Sequence, residues 1–174
     1  MDHERPMTHE RPMTHERYDD AYLRGILREV KTIAMVGASP NWNRPSYFAM
    51  TYLQGKGYRV IPVNPGVAGQ TILKETVYAS LAEVPVPVDM VDIFRNSEAA
   101  AGVVDAALAL PVRPKVIWMQ LGVRNDAAAA KAEAAGIRVV MNRCPKIEWA
   151  RLNGELSWMG TSSRVISSKI QKRG

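Results

Sequence analysis

The strongest constraint on the fold is a rhythm of short apolar runs separated by stretches with helical spacing. The five runs are KTIAMVG (31–37), YRVIPVNP (58–65), VDMVDIFR (88–95), KVIWMQLG (115–122) and IRVVMNRC (137–144). Near-continuous apolar runs of this length suit strands buried on both faces. Ahead of them, YDDAYLRGILREV (18–30) places Leu23, Ile26, Leu27 and Val30 on one face of a leading amphipathic helix. A second helix runs from about Pro45, tolerated in a first turn, to Gly55–Gly57. Ser97 is the expected cap of the alanine-rich helix SEAAAGVVDAALAL. Asn125 is the expected cap of NDAAAAKAEAAG, with Gly136 as its stop. Strands alternating with such helices imply βαβ units. The expected class is therefore α/β: a Rossmann-like doubly wound sheet, mainly parallel, of about five strands in a single domain. Periodicity does not give the strand order.

In this class ligands bind beyond the carboxyl ends of the strands, at the switch point. The strand ends here read GASPNWNRPS, NPG, FRNSE, QLGVRND and NRCPKIE, a polar rim above an apolar sheet. The first turn, VGASPNWNRPSY (36–47), has one glycine where a dinucleotide fingerprint has three. Counting from Gly37, the second and third positions hold Ser39 and Trp42. The second strand ends in Val63, Asn64 and Pro65, with no carboxylate for a ribose hydroxyl. Both features argue against NAD, and no Walker A sequence is present. Anion binding stays open. Gly37 lets the chain turn closely, the next helix offers its N-terminus, Ser39 adds a hydroxyl and Arg44 a fixed charge. The competing reading is a packing turn at Gly37 and a solvated Arg44.

VGASPNWNRPSY, YLQGKGYRVIPVNP, VDMVDIFRNSE, VIWMQLGVRND and VVMNRCPKIE together resemble the small stand-alone CoA-binding domain proteins. That family is similar in fold to the N-terminal CoA-binding domain of the succinyl-CoA synthetase α subunit. The resemblance covers about residues 25–150 and rests on the order and combination of the five motifs. It implies coenzyme A, or an acyl-CoA, held across the strand ends without catalysis by this chain alone. Carried over, Gly37, Ala38, Ser39 and Arg44 hold phosphates, with Pro45 and Ser46 opening the helix beside them. Asn64 and Pro65 border the nucleotide. Phe94 and Arg95 offer an apolar face and a charge to adenine or a phosphate. Gln120, Leu121, Gly122 and Asn125 close the far side, and Lys146 is a further anion contact.

Three segments are expected. Residues 1–17 repeat HERPMT and form a disordered, histidine-containing tail; 18–150 form the CoA-binding domain; 151–174 form an extension with a basic end. All three histidines fall in the tail, so the folded body is expected to be histidine-free. Such a body cannot relay phosphate through histidine or build a Ser–His–Asp set, and no metal constellation appears. The alternative function is a CoA-thioester or nucleotide enzyme component whose partner subunit supplies catalysis. Asp92 is expected as an internal hydrogen-bond partner. Cys144 reads as a small buried hydrophobe, although Arg143 and Lys146 beside it would favour a reactive thiolate. The single cysteine fits a cytoplasmic protein. No apolar run approaches the roughly 20 residues of a membrane span. The last eleven residues carry +4 of the net charge of +6, but they lack interleaved aromatics, and nucleic acid is not an expected partner.

Overall fold

The computed structural model describes residues 14–154. The first thirteen residues of the expected tail and the basic end at 164–174 lie outside the described residues. Along the chain come α1 (Asp20–Glu29), β1 (Thr32–Val36), α2 (Pro45–Gly55) and β2 (Arg59–Val63). A hairpin follows, β3 (Thr71–Ile72) and β4 (Glu75–Thr76). Then come β5 (Met90–Ile93), α3 (Ser97–Leu108), β6 (Val116–Met119), α4 (Asp126–Ala134), β7 (Arg138–Val140) and α5 (Pro145–Leu152).

The main sheet has five strands in the order β2-β1-β5-β6-β7, and every neighbouring pair is parallel. This is the Rossmann-like α/β architecture. Val36 lies beside Val63 on one side and Ile93 on the other, so the carboxyl ends of the three strands are level. The chain leaves β1 for β2 on one side, then returns to place β5 on the other. The switch point is therefore between β1 and β5.

Strand side chains alternate between two apolar layers. Ile33, Met35, Met90 and Trp118 join Leu23 and Ile26 of α1 and Met50 and Leu53 of α2. Ala34, Val36, Val91, Ile93 and Met119 join Ala100 and Val104 of α3 and Ala128 and Ala132 of α4. Each fully buried Leu, Ile or Met contributes roughly 1.5–3 kcal/mol by leaving water. The outer edge of β7 has no strand neighbour. Helix α1 and the segment just before it cover it instead: Tyr22 Oη donates to Val139 O at 2.9 Å, and Tyr18 Oη accepts from Met141 N at 2.8 Å. Burial pushes the Tyr18 phenol up to about 12, so it stays neutral in this role.

Several expectations are corrected. The cap of α3 is Asn96, whose Oδ1 accepts from Ala99 N at 2.8 Å; Ser97 is already helical. After the last strand, Pro145 opens a fifth helix, α5, at its first turn, where a missing N–H costs nothing. The body is not histidine-free. His15 lies against it, 2.7 Å from Tyr18 Oη through Nδ1 and 2.7 Å from Glu133 Oε1 through Nε2. Asp92 is buried as expected, but no donor meets either of its oxygens.

Candidate functional site

Gly37 sets the geometry of the switch point. Its φ is +89°, and a Cβ there would stand 2.4 Å from Phe94 O and 2.9 Å from Phe94 C. Only glycine permits this approach. The turn after β1 thus rests against the end of β5, and Arg95 folds over it, its Cδ 3.1 Å from the same Cβ position.

The loop from Gly37 to α2 is held by its own side chains. Ser46 Oγ accepts from Ser39 N at 3.1 Å, and Ser39 Oγ accepts from Asn41 N at 3.1 Å. Arg44 N donates to Asn41 O at 3.0 Å. From the end of β2, Asn64 ties the turn down: Nδ2 donates to Ala38 O and Oδ1 accepts from Gly66 N, each at 2.9 Å. These bonds use the hydroxyls of Ser39 and Ser46 as acceptors, leave their O–H donors free, and hold the loop that leads into the N-terminus of α2.

The cleft that results has a volume of about 640 Å³, well within the range of small-molecule sites. Gly37, Ser39, Arg44, Pro45 and Ser46 line one wall. Asn64, Phe94 and Arg95 line its middle, and Gln120, Leu121 and Val123 its far side. The lining contains no carboxylate. Arg44 and Arg95 make no side-chain hydrogen bond or ion pair among the described residues. Two unpaired guanidinium groups beside a helix N-terminus form a field for a polyanion. A narrower apolar pocket of about 280 Å³ adjoins it through Arg95, lined by Val36, Val63, Leu81 and the small face of α3.

Ten of the fifteen residues singled out from the sequence line the main cleft. Pro65 lines the apolar pocket instead. Ala38 is buried beneath the loop and contributes its carbonyl to Asn64. Gly122 donates to Asn142 Oδ1 at 2.8 Å. Asn125 caps α4, accepting from Ala128 N at 2.9 Å and donating to Ser97 O at 3.0 Å. Lys146 faces away, its Nζ 5.6 Å from the centre of the Tyr52 ring on α2. The sequence reading missed Val123 and the α3 face, although Ala99, Gly102, Val103 and Ala106 recur at one-face helical spacing.

A glycine turn crossing a parallel sheet at its switch point, with free arginines over it, is the frame the sequence resemblance implied. Residues 31–150 match the CoA binding domain family. The chain belongs to that family. It is 35% identical over 130 residues to the uncharacterized protein YneT of Bacillus subtilis (strain 168), covering 75% of this chain and 93% of that protein. The structure of cell-free ID.343 from Thermus thermophilus superposes with a TM-score of 0.73 at 39% identity, covering 78% of this chain and 99% of that one. A hypothetical protein from Pyrococcus horikoshii OT3 gives 0.74 at 34% identity, covering 88% and 100%.

Among the described residues no group of three or more His, Cys, Asp or Glu side chains converges as a metal site would. Cys144 is 8% exposed, and the cations beside it are engaged elsewhere: Arg143 with Glu16 O and the Tyr18 ring, Lys146 with Tyr52. His15 is not in the cleft lining. No helix of the described residues is long and apolar enough to cross a membrane.

Proposed function

We propose that the cleft binds coenzyme A or an acyl-CoA, and that the chain does so without catalysing a reaction by itself. The observation that carries the reading is the pair of unpaired arginines, Arg44 and Arg95, above the Gly37 turn in a cleft lined by no carboxylate. A pyrophosphate fits that field; a cation or a neutral sugar does not. The apolar pocket beyond Arg95 suits a purine base, with Gly102 and neighbouring small residues giving a flat wall. Family membership supports the same ligand. The missing ribose acid at Asn64 argues against NAD.

Calorimetric titration with CoA, NAD and ATP tests this. The expected result is saturable CoA binding, weaker binding of the other two, and a loss of about tenfold or more in Arg44→Ala, the usual scale for a charge-assisted contact. Tighter binding of NAD or ATP would overturn the ligand. An Arg44→Ala variant that binds CoA as well as the parent would remove the loop from the site.

A further inference from the structure

Three side-chain oxygens among the described residues are buried without a hydrogen-bond partner: Asp92 Oδ1, Asp92 Oδ2 and Gln120 Oε1. They lie on one face of the sheet. Asp92 stands opposite Trp118 in the β5–β6 register, and Gln120 is two residues beyond Trp118. Side chains two apart share a strand face. The offset places the two Cα atoms about 8 Å apart, within reach of an Asp and a Gln side chain.

Asp92 is wholly buried and Gln120 is 8% exposed. Burial with no cation beside it raises the Asp92 carboxyl well above its usual range, so it is held as the neutral acid. A neutral carboxyl has one O–H to donate. On this face the acceptor left without a donor is Gln120 Oε1. The other end of that amide, Nε2, is not buried away from the cleft that Gln120 lines.

We propose that Asp92 donates a hydrogen bond to Gln120 Oε1 and so fixes Gln120 with its Nε2 in the cleft, where it donates to a carbonyl oxygen of the ligand. Asp92 is then a positioning residue and Gln120 the contact. The inference rests on the CoA reading. With the base in the apolar pocket and the phosphates at Arg44 and Arg95, the rest of the ligand runs the other way, toward Gln120, Leu121 and Val123. That part of CoA carries amide carbonyls, and an acyl-CoA adds a thioester carbonyl. Gln120 reads the arm, and the arginines read the nucleotide.

The test titrates CoA, acetyl-CoA and the nucleotide half of CoA, 3′-phospho-ADP, into the wild type, Gln120→Met and Asp92→Asn. Gln120→Met is expected to weaken CoA or acetyl-CoA about tenfold while the nucleotide half binds as before, which also shows that the variant is folded. A loss shared by CoA and acetyl-CoA assigns the donor to an arm amide; a loss confined to acetyl-CoA assigns it to the thioester. Asp92→Asn, whose amide still donates to Oε1, is expected to bind within about twofold of the parent. Infrared difference spectra against Asp92→Asn at neutral pH should show the C=O stretch of a protonated carboxyl, shifted in Gln120→Met. Undiminished binding in Gln120→Met, an equal loss for the nucleotide half, or a carboxyl band absent or unmoved by Gln120→Met would overturn the pair. A wild type that binds neither CoA nor its nucleotide half would overturn the site reading itself and this inference with it.

Discussion

Asp92→Asn is the substitution that isolates the buried acid from everything around it. In the unfolded chain the carboxyl ionises near 3.8; in the fold, burial holds its value well above that. Between those values the folded protein binds more protons than the unfolded chain, so stability falls as pH rises. The contribution is fully present below 3.8 and is lost as pH climbs through the raised folded value. One such group changes stability by about 1.4 kcal/mol per pH unit. Asparagine has no proton to lose. While the folded acid stays neutral, the advantage of Asp92→Asn over the parent therefore grows by about 3 kcal/mol from about pH 5 to about pH 7. For a chain of this size that widens the gap in unfolding midpoint by roughly 5–11 °C. Thermal unfolding followed by circular dichroism at several pH values reads the gap directly, because titrations common to both proteins cancel. A bend in the gap marks the pH at which Asp92 ionises in the fold. Midpoints that run parallel across the range would refute the reasoning, since Asp92 would then titrate alike in both states.

Two further substitutions probe the turn and the loop. Gly37→Ala places a Cβ 2.4 Å from Phe94 O at a φ of +89°, and should cost about 2 kcal/mol or more in urea unfolding; a cost below about 0.5 kcal/mol would mean the turn yields freely. Of the four tryptophans, Trp42 is 70% exposed beside Arg44, Trp118 is buried and donates to Arg143 O, and Trp149 packs on α5, so CoA titration should change tryptophan emission and Trp42→Phe should remove most of that change. An unaltered response in Trp42→Phe would put the ligand away from the loop.

The strands were legible because burial on both faces leaves a continuous apolar run. Their order was not, because such a run carries no mark of its neighbours. The β3–β4 hairpin carries no turn signal in the sequence, for a local reason. Its two turn residues, Leu73 and Lys74, both have positive φ, at 47° and 71°, where Asn-Gly would have announced the turn. Leu73 is held there by tertiary contacts: it packs against the core, and its carbonyl accepts from Gln54 Nε2 at 3.2 Å. At the start of α3, Asn96 and Ser97 are both competent caps in adjacent positions, and sequence alone does not choose between them. Helix α5 was hidden by a proline that marks a beginning as readily as an end. For the site, the fold class pointed to the strand ends, and that located the glycine turn, Arg95 and Gln120. It does not say which way a rim residue turns, and so does not separate Asn125, Gly122 and Lys146 from the residues that line the cleft.

Hydrogen-bond accounting separates these rim residues better than position does. Asn64 and Asn125 each engage both ends of the amide with backbone, and Ser46 and Asn142 each accept from a backbone N–H. The two asparagines, bonded at both ends, would have to give up a protein bond to hold a ligand, with little net gain. They are the frame. Arg44 and Arg95 have no protein partner among the described residues, and Gln120 has an acceptor buried without a donor. Under the proposed reading, the donors of Arg44, Arg95 and Gln120 Nε2, around a cleft lined by no carboxylate, meet a ligand that brings several acceptors of its own. Phosphates and carbonyls are such acceptors, and coenzyme A carries both.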